Sequence, residues 1–351
     1  MVAPGNVLEP SITESNFVKQ ALLESIRPDG RSLLESRPIS VRFGGELGWV
    51  EVTLGSPNST SSTSTAKTTR VVVSTHATLV SPRPERPYEG FVDVRAEIQP
   101  IAANQFERGR ANEEEILFER GLDRAIRRGE VVDREALCVV AGQKVWNIAL
   151  TVHLLSAQGA ALDAAVLACM IALRHFRRPD TSVSSGSQSL QKPTKGRKPI
   201  YDQQNKPRIT IHDTSERVPV PLALHHHPLS VSFAIFDPAH MTSSFVSGVG
   251  AATNSLSATA NPSATDDDDD SHVIILADPS PIEITLCTSK LLVVANVQGE
   301  VCVLDKSGGR PLSESVVNRV IGLARVRVKE LNEIMEKAIK EDSAQRVIEV
   351  V

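Results

Sequence analysis

Four arginines in two short motifs carry the clearest chemical signal in this chain. Arg83 and Arg86 lie in Ser81-Pro-Arg-Pro-Glu-Arg-Pro-Tyr-Glu-Gly90, where three prolines restrict the backbone. Guanidinium groups presented from a stiff loop lose less entropy on meeting a phosphate than the same groups on a slack one. Arg108 and Arg110, in Phe106-Glu-Arg-Gly-Arg110, stand just ahead of a helix expected at about 112–128, so a helix N-terminus would back them. The chemistry open to both pairs is a non-covalent contact with a phosphate or phosphodiester. The residues also allow a solvated surface loop for the first pair, and salt bridges to Glu113, Glu114 and Glu115 for the second.

Other reactive residue types offer less. His225-His226-His227 are consecutive, and in extended chain they face alternate sides, so a structural role is expected rather than a metal site. Cys138, Cys169, Cys287 and Cys302 fall in apolar patterns without a C-x-x-C spacing, which reads as buried free thiols in a reducing compartment. The net charge of −4 means that any RNA contact must come from a local basic surface. The opening MVAPGNVLEP lacks the basic start and apolar core of a secretory signal, and no uncharged apolar run could span a bilayer. A soluble intracellular protein with no membrane contact is the expectation.

The elements that must position these residues are organised around Leu137–Arg178. Val139 and Val140, then Val145, Ile148, Leu150, Val152 and Leu154, read as a strand pair, followed by a turn at Gln158-Gly159. From Leu162, apolar residues at three- and four-residue steps with interleaved alanines predict a helix buried on a sheet, ending at Arg177-Arg178-Pro179. Upstream, residues 12–26 predict an amphipathic helix with Phe17, Ala21, Leu22 and Ile26 inward, then an Arg27-Pro-Asp-Gly-Arg31 turn. Strands are expected at about 37–43, 47–54, 69–75 and 91–101. The helix at about 112–128 has Asn112 as cap and Ile116, Leu117, Leu122 and Ile126 as its buried face. Later come strands at 229–236, after His272, and at about 290–296 and 300–305, and a closing helix at about 312–340. Three polar stretches, about 55–69, 181–217 and 241–271, bury too little apolar surface to order themselves and read as flexible insertions. The second is basic, with Lys192, Lys195, Arg197 and Lys198; it suits a solvated insertion at least as well as a nuclear import signal or an auxiliary RNA contact. The third ends in Asp266–Asp270, which disfavours RNA locally.

Several of these segments resemble the RNase PH family, and within it the branch that forms the exosome ring. They are CVVAGQKVWNIALTVHLL with its small-residue helix and HFRRPD, the Arg27–Arg31 turn, LVSPRPERPYEG, Phe106–Arg110, Pro219-Val-Pro-Leu-Ala-Leu-His-His and the final helix. The resemblance implies an α+β RNase PH-type fold, a duplicated strand-and-helix unit of the ribosomal protein S5 domain 2-like kind, with mixed sheets packed on helices. It implies one domain over 1–351, with halves at about 27–180 and 218–341. It also turns the Arg83 and Arg86 loop toward a central channel.

Active members of the family degrade RNA from its 3′ end by phosphorolysis, with hydroxyls and an arginine gripping phosphate in the turn before the long helix. The matching residues here are Gly159, Ala160, Ala161, Leu162 and Asp163, after Gln158. Leu162 stands where the family arginine would be, the alanines offer no donor, and Asp163 adds the wrong charge beside an anion. The paired aspartates of active members fall near Glu283 and Ser289-Lys290, so at most one carboxylate remains. The expectation is a degenerate phosphate site with no catalytic residues and no cofactor, in a subunit that lines an RNA path with Arg83, Arg86, Arg108 and Arg110. The implied partners are other RNase PH-like subunits in a six-membered ring, S1/KH cap subunits, associated 3′–5′ exoribonucleases and RNA, in nucleus, nucleolus and cytoplasm. A phosphorolytic enzyme with a site shared with its pair partner, and a scaffold that never touches RNA, are the competing readings.

Overall fold

A computed structural model describes residues 10–55, 68–102, 113–184, 208–213, 216–237, 273–309 and 311–346. Helix α1 (Ile12–Leu23) is capped by Ser11, whose hydroxyl accepts from Glu14 N at 3.2 Å. The first sheet contains β1 (Ile39–Phe43), β2 (Val50–Leu54), β3 (Thr69–Val80), β4 (Phe91–Ile98), β5 (Cys138–Val140) and β6 (Lys144–Ser156). Its order is β1-β2-β3-β6-β4, with β5 also on β6. Among the described residues only the β4–β6 pair is parallel, and such a pair needs a long crossover, here carrying α2 (Glu113–Ile126).

Helix α3 (Ala161–His175) follows, then two small pairs: β7 (Arg177–Arg178) with β10 (Val220–Pro221), and β8 (Thr181–Ser184) with β9 (Arg208–Ile211). The second sheet holds β11 (Leu229–Phe236), β12 (Ile274–Ala277), β13 (Ser289–Ala295) and β14 (Val301–Ser307), antiparallel in the order β12-β11-β13-β14. Helix α4 (Pro281–Leu286) joins β12 to β13, and α5 (Glu314–Gln345) closes the fold.

Helix α3 is the shared wall. It packs on β2 and β3 of the first sheet and on β11 of the second. Ala164, Ala165, Ala168 and Ala172 have no side chain beyond Cβ, so strands approach closely on more than one side, and all four are fully buried. One apolar cluster therefore runs from Val50 and Val71 through α3 to Val293 and Val328.

Several expectations need correction. Phe17 and Ile26 are 64% and 56% exposed; Val18 and Leu22 carry the buried face of α1, against Ala234, Phe236 and Leu276 on the far side of the second sheet. Ile116 and Leu117 are also exposed, and Phe118, Leu122, Ala125 and Ile126 face the core, because the sheet covers a stripe rotated from the assumed one. α3 ends at His175, and Arg177-Arg178 leave it to pair with Val220-Pro221 instead of capping it. Residues 181–184 and 208–211, within the second polar stretch, pair as antiparallel strands. Of the cysteines, only Cys169 is buried, and Cys302 is exposed. Most of the three insertions lie outside the described residues, as do Asn112, Lys192, Lys195, Arg197, Lys198 and Asp266–Asp270.

Candidate nucleic-acid interface

The two places that the sequence singles out sit at opposite ends of one long strand. β6 starts beside the arginine loop, with Val145 opposite Val80, and ends beside the degenerate turn, with Ser156 opposite Arg70. Its 13 residues span roughly 40 Å at about 3.3 Å per residue. The fold therefore separates Arg83 and Arg86 from Gly159–Asp163. Arg108 and Arg110 lie outside the described residues.

At the first end, the loop is tied down by backbone contacts. Gly142 N donates to Pro87 O at 3.0 Å and Gly90 N to Arg134 O at 2.9 Å. A Cβ on Gly90 would lie 2.4 Å from Leu137 Cβ and 2.6 Å from Trp146 O, so only glycine lets the loop close this tightly. Within it, Arg86 N donates to Arg83 O at 3.1 Å. Arg86 pairs with Glu89 at 3.1 Å, whereas Arg83 lies 5.3 Å from the Phe91 ring centroid and has no carboxylate partner among the described residues.

At the second end, backbone and side chains already satisfy one another. Gly159 and Ala160 both have positive φ, +87° and +45°, and Ala160 begins α3 without a side-chain cap. Arg37 Nη1 donates to Gln158 O at 2.7 Å and its Nη2 to Gly159 O at 3.0 Å, while Thr69 Oγ1 donates to Gly159 O at 2.7 Å. Arg37 Nη1 also donates to Thr69 Oγ1 at 3.3 Å, and the rest of the residue serves Asp278: its Nη2 reaches Oδ1 at 2.6 Å, and its Nε and backbone N reach Oδ2 at 2.9 and 2.8 Å. Arg31 Nη1 adds a fourth bond to Asp278 at 2.9 Å. Burial alone would push the Asp278 carboxyl up, but Arg37 and Arg31 outweigh it and hold the group below the usual carboxylate range. The guanidinium nearest the turn is thus neutralised by the chain's own acid.

Asp163, in the first turn of α3, does not project toward an incoming anion as its sequence position suggests. Its carboxylate accepts from Ser232 N at 2.7 Å and Ser232 Oγ at 3.0 Å, fixing the helix start to β11. Its negative charge also satisfies the positive pole of α3. Burial raises its pKa from 3.8 to about 6, against the opposing pull of the Ser232 bonds. The folded state therefore holds this proton more tightly than the unfolded chain, and the associated stability is full below pH 3.8 and lost as pH rises toward 6. Asp163→Asn should remove this titration. Denaturant unfolding at several pH values should show the wild type losing on the order of 2 kcal/mol relative to the variant across that window, and no further change above it.

Glu283 is engaged through both of its carboxylate oxygens. Its Oε1 accepts from Arg27 Nε at 2.9 Å, and its Oε2 from Arg27 Nη2 at 2.6 Å and Ser280 N at 2.7 Å. It is 1% exposed. Ser289 is buried and Lys290 exposed on β13. Sequence reasoning missed Arg27, Arg31, Arg37 and Asp278 as a group. Asp278-Pro279 was a visible turn signal, but the arginines that meet it come from far away in the chain. The histidine run is held by its surroundings: His227 N donates to Asn296 Oδ1 at 3.3 Å, and the His225 and His226 rings are tilted by 52°.

Two family models match this chain, both described as the 3′ exoribonuclease family: domain 1 over residues 35–179 and domain 2 over 265–327. The exosome complex component RRP45 of Danio rerio is 32% identical over 95% of this chain and 68% of its own length. The chain belongs to the RNase PH family.

Other RNase PH relatives agree. RRP45A of Arabidopsis thaliana is 29% identical over 97% of this chain and 92% of its own length. RRP45 of Bos taurus is 32% identical over 95% of this chain, which spans only 61% of that relative. Among solved structures, the Archaeoglobus fulgidus exosome with RNA bound to the active site superposes with a TM-score of 0.62 at 23% identity, covering 91% of this chain and 96% of that one. That likeness establishes the RNase PH-type α+β architecture, with sheets packed on helices.

Proposed function

We propose that this chain is a non-catalytic ring subunit of an RNA exosome core, whose contribution is to hold and guide RNA. In this reading it joins other RNase PH-like subunits in a six-membered ring under S1/KH cap subunits. Arg83, Arg86, Arg108 and Arg110 line the path of RNA toward a separate 3′–5′ exoribonuclease. The setting is rRNA processing and RNA decay, in the nucleus, including the nucleolus, and the cytoplasm. The ring assignment is supported by the names of the RRP45 relatives, all described as exosome complex components.

One observation carries the non-catalytic part. Where a phosphate would be gripped, Ala160, Ala161 and Leu162 supply no polar side chain, and the nearest arginine, Arg37, is committed to Asp278 and to the carbonyls of the turn. A phosphorolytic step needs preset cationic help at the transferring phosphoryl group, and none is left over there.

The binding part is tested with the Arg83→Glu/Arg86→Glu double variant and a fluorescent single-stranded RNA. Affinity should fall by at least about tenfold, and the slope of log affinity against log salt should shrink by roughly 0.7 for each phosphate that is no longer neutralised. Unchanged affinity and slope would identify a scaffold that never touches RNA.

A further inference from the structure

The Arg83 and Arg86 loop forms only part of a cleft, and two arginines outside both sequence motifs complete its lining. A cavity of about 90 Å³ is bounded by Arg83, Arg86, Glu89, Asp93, Arg127 and Arg134 among others. Not all of these charges are free. Arg86 is answered by Glu89, and Arg127 by Asp123, whose hydrogen bond raises the Arg127 pKa. Asp93 accepts from Asn147 Nδ2 at 3.0 Å. Among the described residues, no carboxylate pairs with Arg83 or with Arg134.

Arg134 is nevertheless fixed in place. Its Nη2 donates to Arg127 O at 2.9 Å, and its own carbonyl accepts from Gly90 N at 2.9 Å. Four guanidinium groups outnumber the carboxylates of Glu89 and Asp93 in this lining, so the partly enclosed space keeps a net positive charge that an entering anion would offset. A phosphodiester suits Arg83 and Arg134, because it brings one charge and two acceptor oxygens, and each guanidinium offers a planar fork of donors. Arg83 lies over the Phe91 ring, and a nucleobase can stack on the outer face of its guanidinium, which favours a nucleic acid over an acidic peptide.

We propose that Arg134 and Arg83 together seat one phosphodiester of single-stranded RNA, carrying the RNA-contact surface from the 81–90 loop toward the residues that follow α2. The proposal rests on the reading of that loop as RNA-binding, and its test separates the two. Fluorescence anisotropy with a 20-nucleotide oligouridylate is measured for the full chain and four variants. Arg134→Gln keeps an amide donor for the Arg127 carbonyl and removes the charge, and Arg134→Lys keeps the charge. Arg83→Gln tests the loop, and Arg42→Gln, on β1 with a side chain 73% exposed, is the control for bulk charge.

Arg134→Gln should weaken binding about three- to tenfold and reduce the salt slope by roughly 0.7. Arg134→Lys should stay within about threefold of the wild type, and Arg42→Gln should change nothing. If Arg83→Gln weakens binding and Arg134→Gln does not, the phosphodiester seat is wrong and the loop reading survives. If neither weakens it, both are wrong. Equal losses from the glutamine and lysine changes at 134, or a loss at Arg42 as large as at Arg134, would also overturn the proposal.

Discussion

Arg27→Met should lower the unfolding free energy by about 3–5 kcal/mol, the largest single-residue effect expected in this chain. The Arg27 side chain is fully buried, and all five of its N–H groups are used. They reach Glu283 Oε1 and Oε2, Ala277 O at 2.9 Å, Asp278 O at 3.1 Å and Glu35 O at 3.3 Å. Methionine fills much of the volume but strands a buried carboxylate and the Ala277 carbonyl, while Arg31 still donates to the carbonyls of Glu35 and Asp278 at 3.3 Å each. The cost is therefore the uncompensated charge and not the loss of a favourable pair. The double variant Arg27→Met/Glu283→Leu should recover part of it, although it also removes the acceptor that caps Ser280 N. Urea unfolding of the two variants checks this; a single variant within about 1 kcal/mol of wild type would show that water reaches Glu283.

Gly159→Ala should cost about 2–4 kcal/mol, for two independent reasons. Its φ of +87° disfavours any side chain, and a Cβ there would stand 2.2 Å from Pro279 O. Because Pro279 belongs to the loop before α4, the clash presses the degenerate turn away from the segment carrying Asp278. Gly30→Ala is the matched control. It has φ of +79° but nothing within 4 Å of the new Cβ, so it should show only the backbone part, about 1 kcal/mol. Equal losses at both positions would mean that the turn yields to accommodate the methyl group.

These two residues show how far the sequence could be read. Strand β11 falls at 229–236 as its apolar run predicts, and β13 and α3 begin within a residue of their expected starts, because their burial writes a period into the chain. The lack of donor side chains at Ala160, Ala161 and Leu162 is a matter of residue type and is read from the chain directly. What Arg27 and Asp163 do was not legible. An arginine in a turn reads as exposed until Glu283, 256 positions away, comes to meet it. Asp163 reads as an anion-repelling surface charge until β11 brings Ser232 to its carboxylate. Helix α4 left a signal that went unused: Ser280-Pro-Ile-Glu283 is a capping box with proline at the helix start, on a helix of six residues, too short for periodicity to register. The buried stripe of α2 was misplaced because a charged helix with several apolar residues has more than one face that a sheet could cover.

The central claim, that this RNase PH chain holds RNA without cleaving it, is tested most directly by phosphorolysis. The purified chain is incubated with 3′-labelled RNA, Mg²⁺ and inorganic phosphate, alone and with a pairing subunit. The account predicts RNA binding and no release of nucleoside diphosphate attributable to this chain. Release that disappears when Leu162→Ala or Asp163→Asn is introduced here would contradict it.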